Sequence, residues 1–399
     1  MSPPPAPPPR ATSVDAYRGL VMFLMMAEVL RLSRVAKAFP DDPVWQFLGH
    51  HQTHAEWRGC TLHDLIQPSF SFLVGTALAF SVAGRVARGQ SFGRQLAHAV
   101  WRSAALIFLG VFLRSVGRGA TNWTFEDTLT QIGLGYTPLF LLAYARRDGK
   151  PGWHFATVAV ILVGCWAAFA AFPSAGPPYY VAKQSGVPED WPHHPSGFAV
   201  HWDKNNNAAA NFDDWFLNRF PRAKPFRFNP GGYTTMNFVP TLATMLLGLV
   251  AGGWLRAGPS WAVVRRLAAV GAASLALGYG LDAAGVCPSV KRIWTPSWVL
   301  FSGGWCFLIL AGFVAVCDVL GRAEWSFPLR VIGANSIVAY CAAHLLDDFI
   351  VGSVKTHLGA DVFRRFGTAY EPFAAGVVIL AVNWLVLYWM YRNRIFVRI

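Results

Sequence analysis

The chain has 399 residues, of which 54% are hydrophobic and only 14% charged, and its mean hydropathy is +0.35. A soluble protein carries about a quarter charged residues, so this composition excludes an ordinary soluble domain. The net charge of +13 offers no face to a nucleic-acid duplex in a chain immersed in lipid; it reads as topological, with Lys and Arg at the ends of spans meeting the lipid bilayer.

The opening MSPPPAPPPR is proline-rich, cannot form a helix and reads as a disordered, polyproline-like tail over residues 1–12. The remainder, 13–399, reads as one transmembrane domain. A span needs about 20 apolar residues. On that rule about ten helices are expected, near 14–33, 61–83, 100–117, 128–145, 153–173, 234–255, 264–284, 297–320, 331–350 and 371–391. The expected fold class is all-α: a polytopic membrane bundle of about ten helices, with a long extracytoplasmic loop at 174–233.

Ser13 and Asp15 mark a helix start. No small-residue cleavage site follows the first apolar run, which reads as an uncleaved anchor. Asp15 and Arg18, at i, i+3, face one side of that helix and can pair. Glu28 lies inside the run VMFLMMAEVLRL. An acid at membrane depth is a functional candidate, and Arg31 is near enough in sequence to neutralise it.

HAEWRGCTLHDLIQP, residues 54–68, places ionisable groups directly against an apolar run. His54 can take a proton from an amine or hydroxyl, or carry an acyl group. A solvated loop histidine and a metal site from His50, His51 and His54 are the other readings. Thr61 and Asp64 have capping-box spacing, which would make Asp64 structural. Pro68 removes the N–H that would bond the Asp64 carbonyl, which predicts a weakened or bent turn there, a feature tolerated where backbone lines a cavity.

With the N-terminus inside, short inner loops collect Arg85, Arg88, Arg94, Arg146, Arg147, Lys150, Arg265, Arg266 and, after the last span, Arg398. Lys183, Lys204, Arg219, Arg222, Lys224 and Arg227 share the long outer loop, where the charge rule fades. The expected orientation is N-in and C-in. The long loop mixes aromatic rings with Asn and Asp, which suits either a structured cap or sugar recognition. Further on, Asn335 and His344 fall on opposite faces of an unbroken helix, whereas Tyr340 and His344 share one. Cys165, Cys306, Cys317 and Cys341 sit in apolar runs, and a bond between Cys60 and Cys287 is an open possibility. P-loop, GxSxG, HExxH and dinucleotide patterns are missing from the sequence.

Six blocks in order, SVDAYRGL, HAEWRGCTLHDLIQPSFSFLVG, TQIGLGY, NPGGYTTMNFVPTLATMLLGLVAG, KRIWTPSWVL and GANSIVAY, resemble the heparan-α-glucosaminide N-acetyltransferase family and its bacterial relatives, within the wider transmembrane acyltransferases. The resemblance implies transfer of acetyl from cytoplasmic acetyl-CoA to an amino sugar or glycan on the far side of a membrane, here the bacterial cytoplasmic membrane. It puts the catalytic histidine on His54, with Asp64 orienting the ring. Val29 stands where the family has an asparagine, and Glu28 beside it is the candidate substitute. Asp15, Arg18, Trp57, Gln131, Lys291, Asn335 and His344 are the candidate substrate-binding residues, with Asn335 or the Lys291–Arg292 pair placed to polarise the carbonyl. The phosphates of CoA are costly to bury, so Arg85, Arg88, Arg94 and Arg102 are the expected CoA contacts on the inner side. No metal is called for. Two rival functions fit the same residues: a proton-coupled permease and an O-acetyltransferase of envelope glycans. A homodimer is one assembly the sequence leaves open.

Overall fold

The computed structural model describes residues 11–146, 151–173 and 185–397. Residues 1–10 of the tail, Arg147 and Lys150, residues 174–184 with Lys183, and Arg398 lie outside the described residues. The protein is all-helical: 72% of it is helix, with no strand among the described residues. Among the described residues the packing forms two compact units, Glu56–Gly59 with Gln67–Gly312, and Ala11–Ala55 with Cys60–Ile66 and Phe313–Ile399.

The first unit holds α4 (Ile66–Ala87), α5 (Phe92–Ser115), α6 (Thr128–Ala145), α7 (Pro151–Ala170), α8 (Ala208–Leu217), α9 (Phe238–Leu255), α10 (Trp261–Ala283) and nearly all of α11 (Pro296–Phe313). Helix α9 is its axis, with 78% of its apolar window buried inside the protein. Glycines make that possible. A Cβ on Gly248 would sit 1.8 Å from the Phe72 carbonyl oxygen, and one on Gly75 1.8 Å from that of Met245, so α4 and α9 touch backbone to backbone. A cap covers one end of this unit. Its core is Trp57, Val187, Trp191, Trp202, Cys287, Val290 and Ile293, and α8 begins with Asn207 accepting from Ala209 N and Ala210 N. Residues 185–233, part of the loop read as either cap or sugar surface, thus pack as a structured cap.

The second unit holds α1 (Thr12–Met26), α2 (Leu32–Ala38), α3 (Pro43–His51), a π-helical turn at Val314–Val319, α12 (Phe327–Ala334), α13 (Ser336–Leu345), α14 (Asp347–Leu358) and α15 (Glu371–Arg392). Helix α1 lies on α12, where Gly19 faces the Leu329 carbonyl and Gly333 faces that of Asp15. The start of α15 meets the turn that follows α1, where Gly376 abuts Val29.

Among the described residues, seven helices are long and apolar enough to cross a membrane, or eight if the pair α13 and α14, bent by 59°, is one span. Composition and fold together make this an integral membrane protein. The expected spans at 14–33 and 331–350 are interrupted. Helix α1 stops at Met26, a 3-10 turn runs from Ala27 to Leu30, and Arg31 adopts the left-handed conformation at φ 50, ψ 44. The second region breaks at Asn335, whose φ −127, ψ 47 is not helical, and again at Leu346. Helix α6 has its expected limits but carries Thr128, Thr130, Gln131 and Thr137 and is not among the seven. Thr12, assigned to the tail, already belongs to α1. Among the described residues no disulfide joins any of the six cysteines, so Cys60 and Cys287 are not bonded to each other.

Candidate active site

Helix α3 is started by Asp42, which accepts from Val44 N and Trp45 N, and by Pro43 in its first turn. It ends at His51, and the chain then turns irregularly to a 3-10 turn at His63–Leu65 that leads into α4. Pro68 therefore lies in the first turn of a helix, where its missing N–H is an orphan in any case. The bend predicted at Asp64 is a helix start.

The turn presents His54 to Asp64. His54 Nδ1 lies 2.8 Å from Asp64 Oδ1. Asp64 Oδ2 accepts from Ala55 N at 3.0 Å and from Thr61 N at 3.0 Å. The Thr61 hydroxyl lies 2.6 Å from the Thr53 carbonyl and 3.1 Å from Oδ2, with one proton to give to one of them. The capping-box bond is thus present, and it uses one carboxylate oxygen while the other meets the imidazole. Asp64 has acceptor roles at both oxygens, so Nδ1 of His54 carries the proton and Nε2 carries a lone pair. The imidazole is 36% exposed and Asp64 is fully buried, which puts the ring within a ligand's reach and keeps its partner from water.

His54 lines a cavity of about 530 Å³ with Glu28, Arg31, Arg34, His63, His344 and Asp347 around it. Every lining residue belongs to the second unit. The His54 and His63 rings are 4.5 Å apart, centroid to centroid, and His63 Nε2 is 3.9 Å from Glu28 Oε2. His344 Nδ1 donates to the Tyr340 carbonyl at 2.9 Å and its ring stacks on Tyr340. The 3-10 turn after α1 is what swings Glu28 to this cavity.

The other candidates are elsewhere. Asp15 and Arg18 do pair, at 3.2 Å, but at the opposite end of α1 from Glu28. Asn335 starts α13 while His344 ends it, so they lie at opposite ends of one helix. Asn335 is fully buried, and its side chain donates to the Ile395 carbonyl and accepts from Val397 N, tying down the C-terminal segment. In the first unit, Trp57 is a core residue of the cap. Gln131 donates to the carbonyls of Phe125 and Thr235. Lys291 is buried, and Arg292 donates to the Gly231 carbonyl at 2.7 Å. Arg85 is within electrostatic range of Arg88, Arg102 and Tyr136, and Arg102 stacks on the Tyr136 ring at 4.6 Å. Arg94 is exposed near the start of α5.

Sequence reasoning did not assign His63, Gln52, Arg34 or Asp347 to the site, yet all four line the cavity. The signal for His63 was its place next to Asp64 in LHDL. His51 Nδ1 accepts from Leu62 N at 3.3 Å, and no group of three or more His, Cys, Asp or Glu side chains is arranged around a metal position among the described residues. In the cap, Glu56 accepts from Trp191 Nε1 at 2.8 Å and meets His193 at 3.2 Å; the Trp191 bond above all, with that of His193, holds its carboxyl below the usual range.

No family model matches the chain. It is similar to the heparan-alpha-glucosaminide N-acetyltransferase of Homo sapiens, with 25% identity over 98% of the chain and 60% of the relative, and to the protein of that name from Mus musculus, with the same identity and coverage. The chain thus spans about 60% of the length of these curated relatives.

Proposed function

We propose that the protein is a membrane acetyltransferase that moves an acetyl group from acetyl-CoA to an amino sugar or glycan acceptor, with His54 as its central group. The observation that carries this reading is the His54–Asp64 pair at 2.8 Å, with a carboxylate that accepts from two backbone N–H groups at its other oxygen and an imidazole open to a cavity. The names of the similar proteins support the reaction class.

Asp64 fixes the ring and its tautomer, and the Nε2 lone pair is the reactive nitrogen. It takes the proton of the attacking acceptor as the thioester C–S bond breaks, or attacks the thioester itself and holds the acetyl group as an acyl-imidazole. Asp64 stabilises the imidazolium formed on the first route. Glu28 lines the same cavity and contributes its carboxylate on the acceptor side. In this proposal Arg85, Arg88, Arg94 and Arg102 hold the CoA phosphates at the cytoplasmic face, with both termini on that side. Asp15, Arg18, Trp57, Gln131, Lys291, Asn335 and His344 remain the substrate-binding set; of these, His344 lines the cavity.

The test is turnover of acetyl-labelled acetyl-CoA by purified protein with glucosamine. His54→Ala is expected to lower transfer by about 10³-fold or more. Label carried by the wild-type protein and not by His54→Ala, captured by adding hydroxylamine as an acyl acceptor, identifies the acyl-imidazole route. Substrate uptake that survives His54→Ala, with no acetyl turnover, identifies a permease instead. Mass spectrometry of envelope glycans with and without the protein separates N- from O-acetylation.

A further inference from the structure

Beside the His54–Asp64 pair, the same cavity holds a second pairing of a histidine with a carboxylate. His63 is buried, with its ring 4.5 Å from that of His54 and its Nε2 3.9 Å from Glu28 Oε2. The Glu28 side chain is 68% exposed, so it meets whatever enters. We infer that His63 and Glu28 form a second proton-handling pair, which receives the acceptor ammonium and removes its first proton, while His54 handles the proton lost in the transfer step. This inference rests on the acetyl-transfer reading above.

The stoichiometry asks for two acceptors of protons. An amine in neutral water arrives as R–NH3+, which has no lone pair to attack with. One proton passes to the His63–Glu28 pair, giving R–NH2. The nitrogen lone pair then attacks the thioester carbonyl, the C–N bond forms and the C–S bond breaks. The second N–H proton moves to His54 Nε2 and on to the departing thiolate, giving CoA thiol, and the first proton leaves to solvent. The balance is R–NH3+ plus acetyl-S-CoA giving R–NH–CO–CH3, HS-CoA and H+. Water or an alcohol starts neutral and loses only one proton, so neither needs the second pair.

The charged and titratable groups around the pair are His54 from the turn, Arg31 and Arg34 after α1, and His344 and Asp347 from α13 and α14. Asp347 lies within electrostatic range of Arg31 as well as of Glu28 and His344. Arg31 thus has an acid of its own to meet, and Glu28 is the carboxylate beside His63.

The experiment measures acetyl transfer to glucosamine and hydrolysis of acetyl-CoA by the same full-length preparations across pH. His63→Ala is expected to lower transfer to glucosamine by about tenfold or more beyond any effect on hydrolysis at neutral pH. That gap is expected to close as pH rises, because bulk solvent then supplies the free amine. Glu28→Gln, a substitution on an exposed side chain, gives the same direction and stands in should His63→Ala fail to fold. A protein that needs His54 but shows equal losses on both reactions, or a gap constant with pH, overturns the inference and leaves the transfer reading intact. A wild-type protein that consumes no acetyl-CoA, or transfer that survives His54→Ala, overturns the transfer reading and this inference together.

Discussion

Asp64 and Asp213 are one side chain in two settings. Both are buried, at 0% and 2% exposure. Asp64 meets His54 at one oxygen and backbone donors at the other. Asp213, on α8 of the cap, accepts from Thr235 N at 2.9 Å through Oδ2, and its Oδ1 has no partner among the described residues. Glu126 lies close enough to add repulsion, with Arg222 opposing it. Burial pushes the Asp213 carboxyl up to about 7, against the pull of Thr235. Burial, with Glu126 adding to it, thus favours the protonated form of an aspartate that has a donor at only one oxygen. Donors at both oxygens make it a fixed acceptor, and that is the state in which it can orient a histidine.

The sharpest way to break this comparison is Asp64→Asn. The amide cannot accept at both positions, so the His54 tautomer is lost. Turnover of labelled acetyl-CoA is expected to fall by about 10³-fold, about 4 kcal/mol of barrier. Turnover within a few-fold of wild type would return Asp64 to a purely capping role.

Asp213→Asn is expected to act on stability instead. The folded carboxyl titrates near 7 and the unfolded one at 3.8, so the folded state binds the extra proton between those values. Stability is then highest below the unfolded value, falls as pH rises through that window and levels off above it. The total is on the order of 4 kcal/mol. The asparagine variant should lose this slope in melting curves recorded from pH 4 to 8, roughly the window of the shift. A slope that persists assigns it to another group.

Thr61→Val is the mildest probe. It keeps the backbone N–H on Asp64 and removes the hydroxyl that the Thr53 carbonyl uses. The expected cost is about 1 kcal/mol in thermal unfolding. A much larger loss would show that the hydroxyl gives its proton to the buried Asp64 carboxylate instead.

The long apolar runs were legible. The helices at 128–145, 234–255 and 371–391 appear within a few residues of their expected ends, because hydropathy reports length directly. The His54–Asp64 pair was legible too, since ten residues of turn sequence with a capping signal bring two ends together. Breaks inside apolar runs were not. Arg31 in the left-handed region and the kinked Asn335 depend on tertiary partners: for Asn335, the C-terminal carbonyl and amide at Ile395 and Val397. The reach of Glu28 to His63 followed from the first break and was hidden with it. Asn335 is a substrate-binding candidate from the sequence, and the hydrogen bonds its side chain makes here go to the C-terminal segment.

Gln52 shows what the first of these breaks entails. Its side-chain amide donates to the Ala27 carbonyl at 2.7 Å and accepts from Leu32 N, splicing the two backbone groups that the end of α1 leaves open. Gln52 is also the C-cap of α3 and stands two residues before His54. A displacement of the tip of α1 is therefore passed through one amide to the stretch of chain that carries His54. One side chain thus ties the end of α1 to the segment that carries His54.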